Sequence, residues 1–266
     1  MKFLFIFLPL FVFSKNICDL PKNIDSIVDE VKITSVSDLK RNNLKGLCIS
    51  QIEFKDTDVL WKFLLLWNPS QPKGPSLFIP HDNENTAFDT GVYTIQTYGG
   101  AMLSVTGSGK RFYNGIDPNR NFKNNIYSKK VFKIIDSFRS SDFGYIALHN
   151  NKKGYFGNGG DGTVSINKKT KGIVNFPVKE EDNIGISNED SLVYFIGSKV
   201  NIDKVNLVNS FGINVRYEII KGNENDFSMS NYIFHKLKDK RYINIETLFG
   251  DFKTQKKILD QLFLII

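Results

Sequence analysis

The chain has 266 residues, of which 41% are apolar and 24% charged, a globular composition that excludes a globally disordered protein. This length supports one sizeable α/β core and is too short for two full domains. The formal net charge is +7, but the basic residues are dispersed and do not alternate with aromatic residues, so we expect no nucleic-acid partner. The positive charge favours, at most mildly, acidic substrates or anionic cell-wall material.

The first predicted element is a secretory signal peptide at residues 1–14. Lys2 precedes an uninterrupted apolar run that is too short to cross a bilayer, and Val12 and Ser14 can occupy the small-residue positions of a cleavage site. A buried N-terminal strand is the alternative. The signal predicts a secreted or periplasmic protein with no stable membrane insertion after signal removal.

Cys18 and Cys48 are the only cysteines. In an exported protein such a pair can form one disulfide. Two unpaired buried thiols are the alternative. Neither cysteine has the spacing of a metal ligand.

Strands interleaved with helices are predicted along the rest of the chain, and this pattern indicates an α/β protein with a sheet covered on both faces. Residues 15–70 are expected to form an N-terminal lead-in packed on one domain, residues 71–266. Residues 60–67 are a helix or a buried strand, because their periodicity does not distinguish the two. Residues 150–190 are rich in Asn, Lys, Gly and Asp, which predicts long surface loops with short hairpins.

Short apolar runs predict strands, and helical spacing with flanking cap or stop residues predicts helices. The predicted strands are 76–80, 102–105, 145–148, 192–196, 213–220 and 242–246. The predicted helices are 86–98, 129–138 and 252–265, the last with Phe252, Ile258, Leu259 and Leu262 facing inward. The expected fold is a three-layer α/β/α arrangement with a mixed, mostly parallel central sheet.

Two histidines and a glutamate form a candidate metal site. His81 and Glu84 are three residues apart at the end of a predicted strand, and this spacing lets both side chains converge on one ion. His149 follows another predicted strand. Two imidazoles and a carboxylate make a catalytic zinc site with one position left open. A hydrogen-bonded core residue is the alternative for a single histidine such as His149.

The segment between these ligands, Gly115-Ile-Asp-Pro-Asn-Arg-Asn-Phe122, is a specific string. With it, the sequence resembles the zinc carboxypeptidase family, the group that contains carboxypeptidase A. That family carries His-x-x-Glu, a Gly-Val-Asp-x-Asn-Arg-Asn-aromatic segment, a histidine after a strand and a glutamate on a late strand, and all four occur here in that order. The resemblance covers roughly residues 76–250, apart from the loops at 150–190. It implies a zinc metallocarboxypeptidase whose zinc is bound by His81, Glu84 and His149.

The resemblance also implies how the substrate is bound. Asn119 and Arg120 would bind the substrate's terminal carboxylate, for which a guanidinium offers two parallel donors. Arg111 would polarise the scissile carbonyl and stabilise the oxyanion. Lys110 is the alternative for that role, and Pro80 stands where the family has a glycine before the first ligand.

The general base implied by the resemblance is Glu246, the single charge in the strand predicted at 242–246. It would take a proton from the attacking water and pass it to the leaving amine. Glu218 is the alternative. Tyr217 and Tyr232 are candidates for a tyrosine that closes over the substrate, and His235 is expected at the surface.

The predicted activity is therefore hydrolysis of the C-terminal peptide bond of a peptide with a free carboxylate. Murein stem peptides are candidate substrates because of the expected export. A non-catalytic peptide- or glycan-binding module of the same fold is one alternative, which the complete ligand set and Glu246 disfavour. A zinc-dependent amidase or deacylase is another, because it would use the same groups.

Overall fold

The computed structural model describes residues 18, 20–21, 24, 27–29, 36–179, 186, 188–222 and 225–265. The predicted signal peptide at residues 1–14 lies outside these residues. Within them, no helix is both long and apolar enough to cross a membrane. The described chain is a mixed α/β protein built on one large sheet.

Ten strands form this sheet in the described part of the chain. They are β1 (Ile27–Asp29), β2 (Cys48–Asp56), β3 (Val59–Trp67), β4 (Ser76–Ile79), β5 (Ala101–Val105), β6 (Tyr145–Asn151), β7 (Ile173–Phe176), β8 (Leu192–Gly197), β9 (Asn214–Ile219) and β10 (Tyr242–Leu248). Their spatial order is β1-β2-β3-β5-β4-β6-β10-β8-β9-β7. All six predicted strands are confirmed to within a few residues.

The sheet is mixed, as predicted, but the expectation that it is mostly parallel is wrong. Of the nine neighbouring pairs, four are parallel and five antiparallel. The parallel strands β5, β4, β6 and β10 occupy the centre. The antiparallel pairs lie to either side of this centre. One of them, β2 with β3, follows from the two-residue turn Thr57–Asp58, which permits only an antiparallel hairpin.

Residues 60–67 are a strand, since β3 spans Val59–Trp67. Phe63 and Leu65 contribute to one apolar cluster and Leu64 and Leu66 to the other, so both faces of the strand are buried. A strand buried on both faces has no alternation of apolar and polar residues, which is why its periodicity was uninformative. β2 and β3 lie within the predicted lead-in yet pair into the common sheet, and the boundary at residue 70 stays a prediction.

Six α-helices accompany the sheet among the described residues. They are α1 (Ser37–Arg41), α2 (Asn85–Tyr98), α3 (Ile126–Phe138), α4 (Ile202–Asn209), α5 (Met229–Tyr232) and α6 (Phe252–Leu262). Helices α2, α3 and α6 confirm the three predicted helices. In α6, Ile258, Leu259 and Leu262 are buried, but Phe252 is 38% exposed, so its inward placement was wrong. Phe252 is the first residue of the helix and packs edge-on against Tyr93 at the rim of the core.

Two glycines at the end of α2 allow two segments of the chain to approach closely. Gly99 and Gly100 both have positive φ angles of 77° and end the helix as predicted. A Cβ atom on Gly100 would lie 2.0 Å from the carbonyl oxygen of Pro75, so only glycine fits. This close approach lets β4 and β5 run side by side in parallel.

Cys18 and Cys48 form a disulfide in the structure, with a Cα–Cα distance of 5.4 Å. The bond ties the N-terminal region to the first residue of β2. We expect protein isolated from its native compartment, denatured without reductant, to contain no free thiol. Thiol titration measures this, with a reduced sample as the control, and two titratable thiols in the unreduced sample would contradict the bond.

Candidate metal centre and active-site cleft

The strongest candidate site is formed by His81, Glu84 and His149. His81 follows β4 after one proline, and Glu84 is the N-cap of α2. His149 lies inside β6, not beyond its end as predicted. Because β4 and β6 are parallel neighbours, their carboxyl ends lie at the same edge of the sheet.

All three side chains are buried, with exposures of 1–3%. One ligand atom from each residue lies within 4.8 Å of the others, so the group could hold a metal ion. Nδ1 of His81 is 2.8 Å from Oε1 of Glu84, and Nδ1 of His149 is 3.3 Å from Oε2. Imidazole nitrogens and a carboxylate oxygen are ligand atoms that zinc takes in proteins. Oε2 of Glu84 has no hydrogen-bond partner in the described part, and an ion would satisfy it.

The segment Gly115–Phe122 also contains Asp117, whose role the sequence interpretation missed. Its Oδ1 lies 3.0 Å from Nε2 of His81. A carboxylate only accepts, so Nε2 donates to Asp117 and Nδ1 donates to Glu84; Nδ1 is the atom that would lose its proton and bind an ion. Hydrogen bonding of the outer ring nitrogen to a carboxylate is the usual way in which a metal-binding histidine is oriented. The signal was present in the sequence, because Asp117 stands two residues before Asn119.

The charges within this group are strongly coupled. Burial lowers the pKa of His81, but Glu84 and Asp117 outweigh it and raise that pKa to about 9. Burial raises the pKa of Glu84, but His81 and His149 outweigh it and lower that pKa to about 2. Glu84 is therefore an anion at neutral pH, and a metal ion would replace the proton that His81 carries.

Arg111 lies beside this group, within the loop that follows β5. Its Nη1 is 3.7 Å from Oε1 of Glu84, and its Nη2 is 3.6 Å from Oδ2 of Asp117. The side chain is nearly half exposed, so it can reach a bound substrate. Asp82 holds the loop, because its carboxylate accepts hydrogen bonds from the backbone of Ser108 and Gly109.

Glu246 lies directly beside His149 in the sheet. β10 and β6 are parallel neighbours, and their register pairs Glu246 with His149. Paired residues on adjacent strands project to the same face, so both side chains face the same space. Asn244 donates a hydrogen bond of 3.2 Å to Glu246, and burial raises the pKa of the Glu246 carboxyl. The Asn244 hydrogen bond opposes that rise, and a carboxyl with a raised pKa is a candidate for proton transfer.

A cleft of about 910 Å³ opens above these residues. It is lined by five of the predicted site residues: Arg111, Asn119, Arg120, His149 and Glu246. His81 and Glu84 are buried and do not line it, but Glu84 lies within 4 Å of the cleft residues Arg111 and His149. All seven predicted site residues therefore meet at one place, although they come from five separate segments of the chain.

The cleft distinguishes between the alternative residues that the sequence offered for these roles. Glu218 lines it, whereas Lys110 does not. Tyr217 is on the opposite face of the sheet and donates to the carbonyl of Ile196, and Tyr232 is buried in the core. Neither can close over a substrate in this conformation. The tyrosines that line the cleft are Tyr194 and Tyr242, which the sequence interpretation did not consider.

No protein-family model matches the sequence, and no curated protein matches it either. Among solved structures, the chain is similar to the crystal structure of a "putative carboxypeptidase" from Burkholderia mallei, with a TM-score of 0.40 and 12% identity. The match covers 81% of this chain and 63% of that protein, so the chain spans less than two thirds of its length. A similarity this weak does not show the family of the chain.

Proposed function

We propose that the protein is a zinc metallocarboxypeptidase with the three-layer α/β/α fold of that family, hydrolysing the C-terminal peptide bond of its substrate. One observation carries this proposal. A buried His81–Glu84–His149 group lies at a cleft that also contains a carboxylate and an Asn-Arg pair, which are the groups that C-terminal peptide hydrolysis needs.

Zinc is the proposed ion because two imidazoles and one carboxylate, with one position open, suit a catalytic zinc that activates water and polarises a carbonyl. Glu246 takes the proton from the attacking water and delivers it to the leaving amine. Its place beside His149 and its raised pKa support this role. A base whose pKa is closer to neutral can both accept and return a proton.

Arg111 donates hydrogen bonds to the oxygen that becomes negative as the carbonyl is attacked. Its position next to Glu84 supports this role. Asn119 and Arg120 donate to the substrate's terminal carboxylate, which places the last peptide bond next to Glu246. Nη1 of Arg120 now donates to the Asn119 carbonyl, and its Nε lies 3.4 Å from the exposed Asp226, so both contacts can be exchanged for substrate.

The predicted export signal, with a secreted or periplasmic location, makes murein stem peptides the proposed substrates. An amidase would use the same ion and base without a free carboxylate beside Arg120, whereas a deacylase of N-acylated amino acids would also pair that arginine with a carboxylate. A non-catalytic binding module would not need Glu246. Peptides with and without a free C-terminus distinguish a carboxypeptidase from an amidase, and product analysis on peptide, murein and acyl-amino-acid substrates distinguishes it from a deacylase.

Replacing Arg120 with Ala is expected to remove most activity on peptides with a free C-terminus. Removing one partner of a desolvated charged pair costs on the order of 2–5 kcal/mol, and that loss should appear in kcat/KM. Amidated versions of the same peptide should be poor substrates of the wild type and should respond little to the change. Measuring kcat/KM for the acid and amide forms with both proteins checks this.

Lys123→Ala is the matched control, because Lys123 is an exposed cation three residues away that does not line the cleft. It should leave the preference for the acid form unchanged. Equal cleavage of acid and amide by the wild type would exclude a carboxylate anchor at Arg120 and favour an endopeptidase or amidase.

A further inference from the structure

Arg216 of β9 is a buried cation that forms no ion pair with the residues that the structure describes. Only 1% of its surface is exposed, yet its guanidinium donates only to neutral acceptors, the carbonyls of Ser165 and Lys168 and the hydroxyl of Thr170. Its Nε has no hydrogen-bond partner in the described part of the chain.

The other arginines of the protein show how unusual this is. Each of the remaining five lies next to at least one carboxylate, and they are Arg41, Arg111, Arg120, Arg139 and Arg241. Arg216 is the most buried of the six and forms no ion pair with any described residue. Leaving a buried charge uncompensated is unfavourable, so a counter-charge from outside the chain would be bound strongly.

The position of Arg216 points to the substrate as the source of that charge. The register places Asn244, Tyr194 and Arg216 in one row across β10, β8 and β9. Asn244 is two residues before Glu246, so the row lies on the same face of the sheet as the proposed base. Tyr194 and Arg216 both line the cleft.

Tyr194 connects the buried cation to the cleft. The Arg216 guanidinium lies over the Tyr194 ring, 5.2 Å from its centroid. The Tyr194 hydroxyl makes no hydrogen bond with a described residue. Burial raises the pKa of this phenol, so at neutral pH it is an uncharged donor. Arg120 lines the same cleft as Tyr194 and Arg216.

We propose that Arg216 and Tyr194 recognise a carboxylate on the side chain of the substrate's C-terminal residue, so that the enzyme prefers an acidic residue there. The inference rests on the proposed carboxypeptidase function. With the terminal carboxylate on Arg120, the side chain of the same residue lies over the row. Its carboxylate accepts a hydrogen bond from the Tyr194 hydroxyl and lies in the field of the Arg216 guanidinium.

The charge of the cleft agrees with this assignment. Basic side chains outnumber acidic ones along its lining, by seven to four. Glu218 is the carboxylate nearest in sequence to Arg216, on the same face of β9. It does not pair with Arg216, because Asn231 donates to it at 2.8 Å instead. Glu218 therefore leaves the Arg216 charge available.

Two peptides that differ only in a C-terminal Glu or Gln test the proposal, because the two side chains have the same shape and differ in charge. Wild-type kcat/KM should favour the Glu peptide by on the order of tenfold or more, the effect of one hydrogen bond to a charged group. Arg216→Gln should bring the ratio close to one, and Arg216→Lys should retain part of it. Glu218→Gln should raise the ratio.

A second measurement keeps the test independent of turnover and of folding. Calorimetry on the Glu246→Gln variant, in which the base is removed, should show tighter binding of the Glu peptide than of the Gln peptide. If Arg216→Gln does not fold, Tyr194→Phe carries the test, and it should lower the ratio several-fold. An unchanged ratio in a folded variant overturns the proposal.

The possible failures are distinguishable. If the wild type removes Glu and Gln equally well, the preference for acidic residues is wrong and the carboxypeptidase function stands. If it removes neither residue, and removes no other C-terminal residue from control peptides, the proposed function itself fails and the preference falls with it.

Discussion

Replacing Glu246 with Gln is expected to reduce kcat by more than the ~10²–10⁴-fold of an ordinary acid–base group, because Glu246 serves two proton transfers in one turnover. The amide keeps the shape of the side chain and can still contact Asn244. It cannot accept the proton of the attacking water. Steady-state kinetics on a free-acid peptide measure the loss, and the metal content should stay that of the wild type.

Glu218→Gln is the matched control for this change. Glu218 lines the same cleft on β9 and is a half-buried carboxylate whose pKa is raised by burial. Its replacement should leave kcat on a neutral C-terminal residue within a few-fold of the wild type. Near-normal turnover of Glu246→Gln, together with a large loss in Glu218→Gln, would move the general base to Glu218.

Replacing His149 with Ala is expected to remove the bound zinc. The wild type should carry about one zinc per chain, the content of a single site with three protein ligands. The variant keeps only two ligands, so its affinity should fall by more than the ~10–100-fold that follows from loss of an outer partner of a ligand. Elemental analysis after extensive dialysis measures the metal content of both proteins.

The control is His235→Ala, which removes the one histidine outside the metal group. His235 lies in the π-helical turn Ile233–Leu237 and contacts the ring of Phe234. Its replacement should leave the zinc content unchanged. Equal zinc in the wild type and in His149→Ala would show that the ion is held elsewhere.

Much of the fold could be predicted from local signals. The helices α2, α3 and α6 and the six predicted strands follow from apolar spacing and from breakers such as Gly99 and Gly100, which act over a few residues. The direction of strand pairing could not be predicted this way. It depends on contacts between distant segments, such as the antiparallel pairing of β3 with β5 and the parallel pairing of β4 with β6.

The residue types of the site were visible in the sequence, because His-x-x-Glu and Asp-x-Asn-Arg-Asn are compact motifs. Only the tertiary structure showed that they share one place: the sheet register sets Glu246 beside His149, and a loop brings Asp117 against His81. The sequence also could not show that Arg216 forms no ion pair with the described residues, because this depends on every group that surrounds the side chain. Short motifs determined which chemical groups this protein has available. Long-range packing decided which of these groups meet and which are buried.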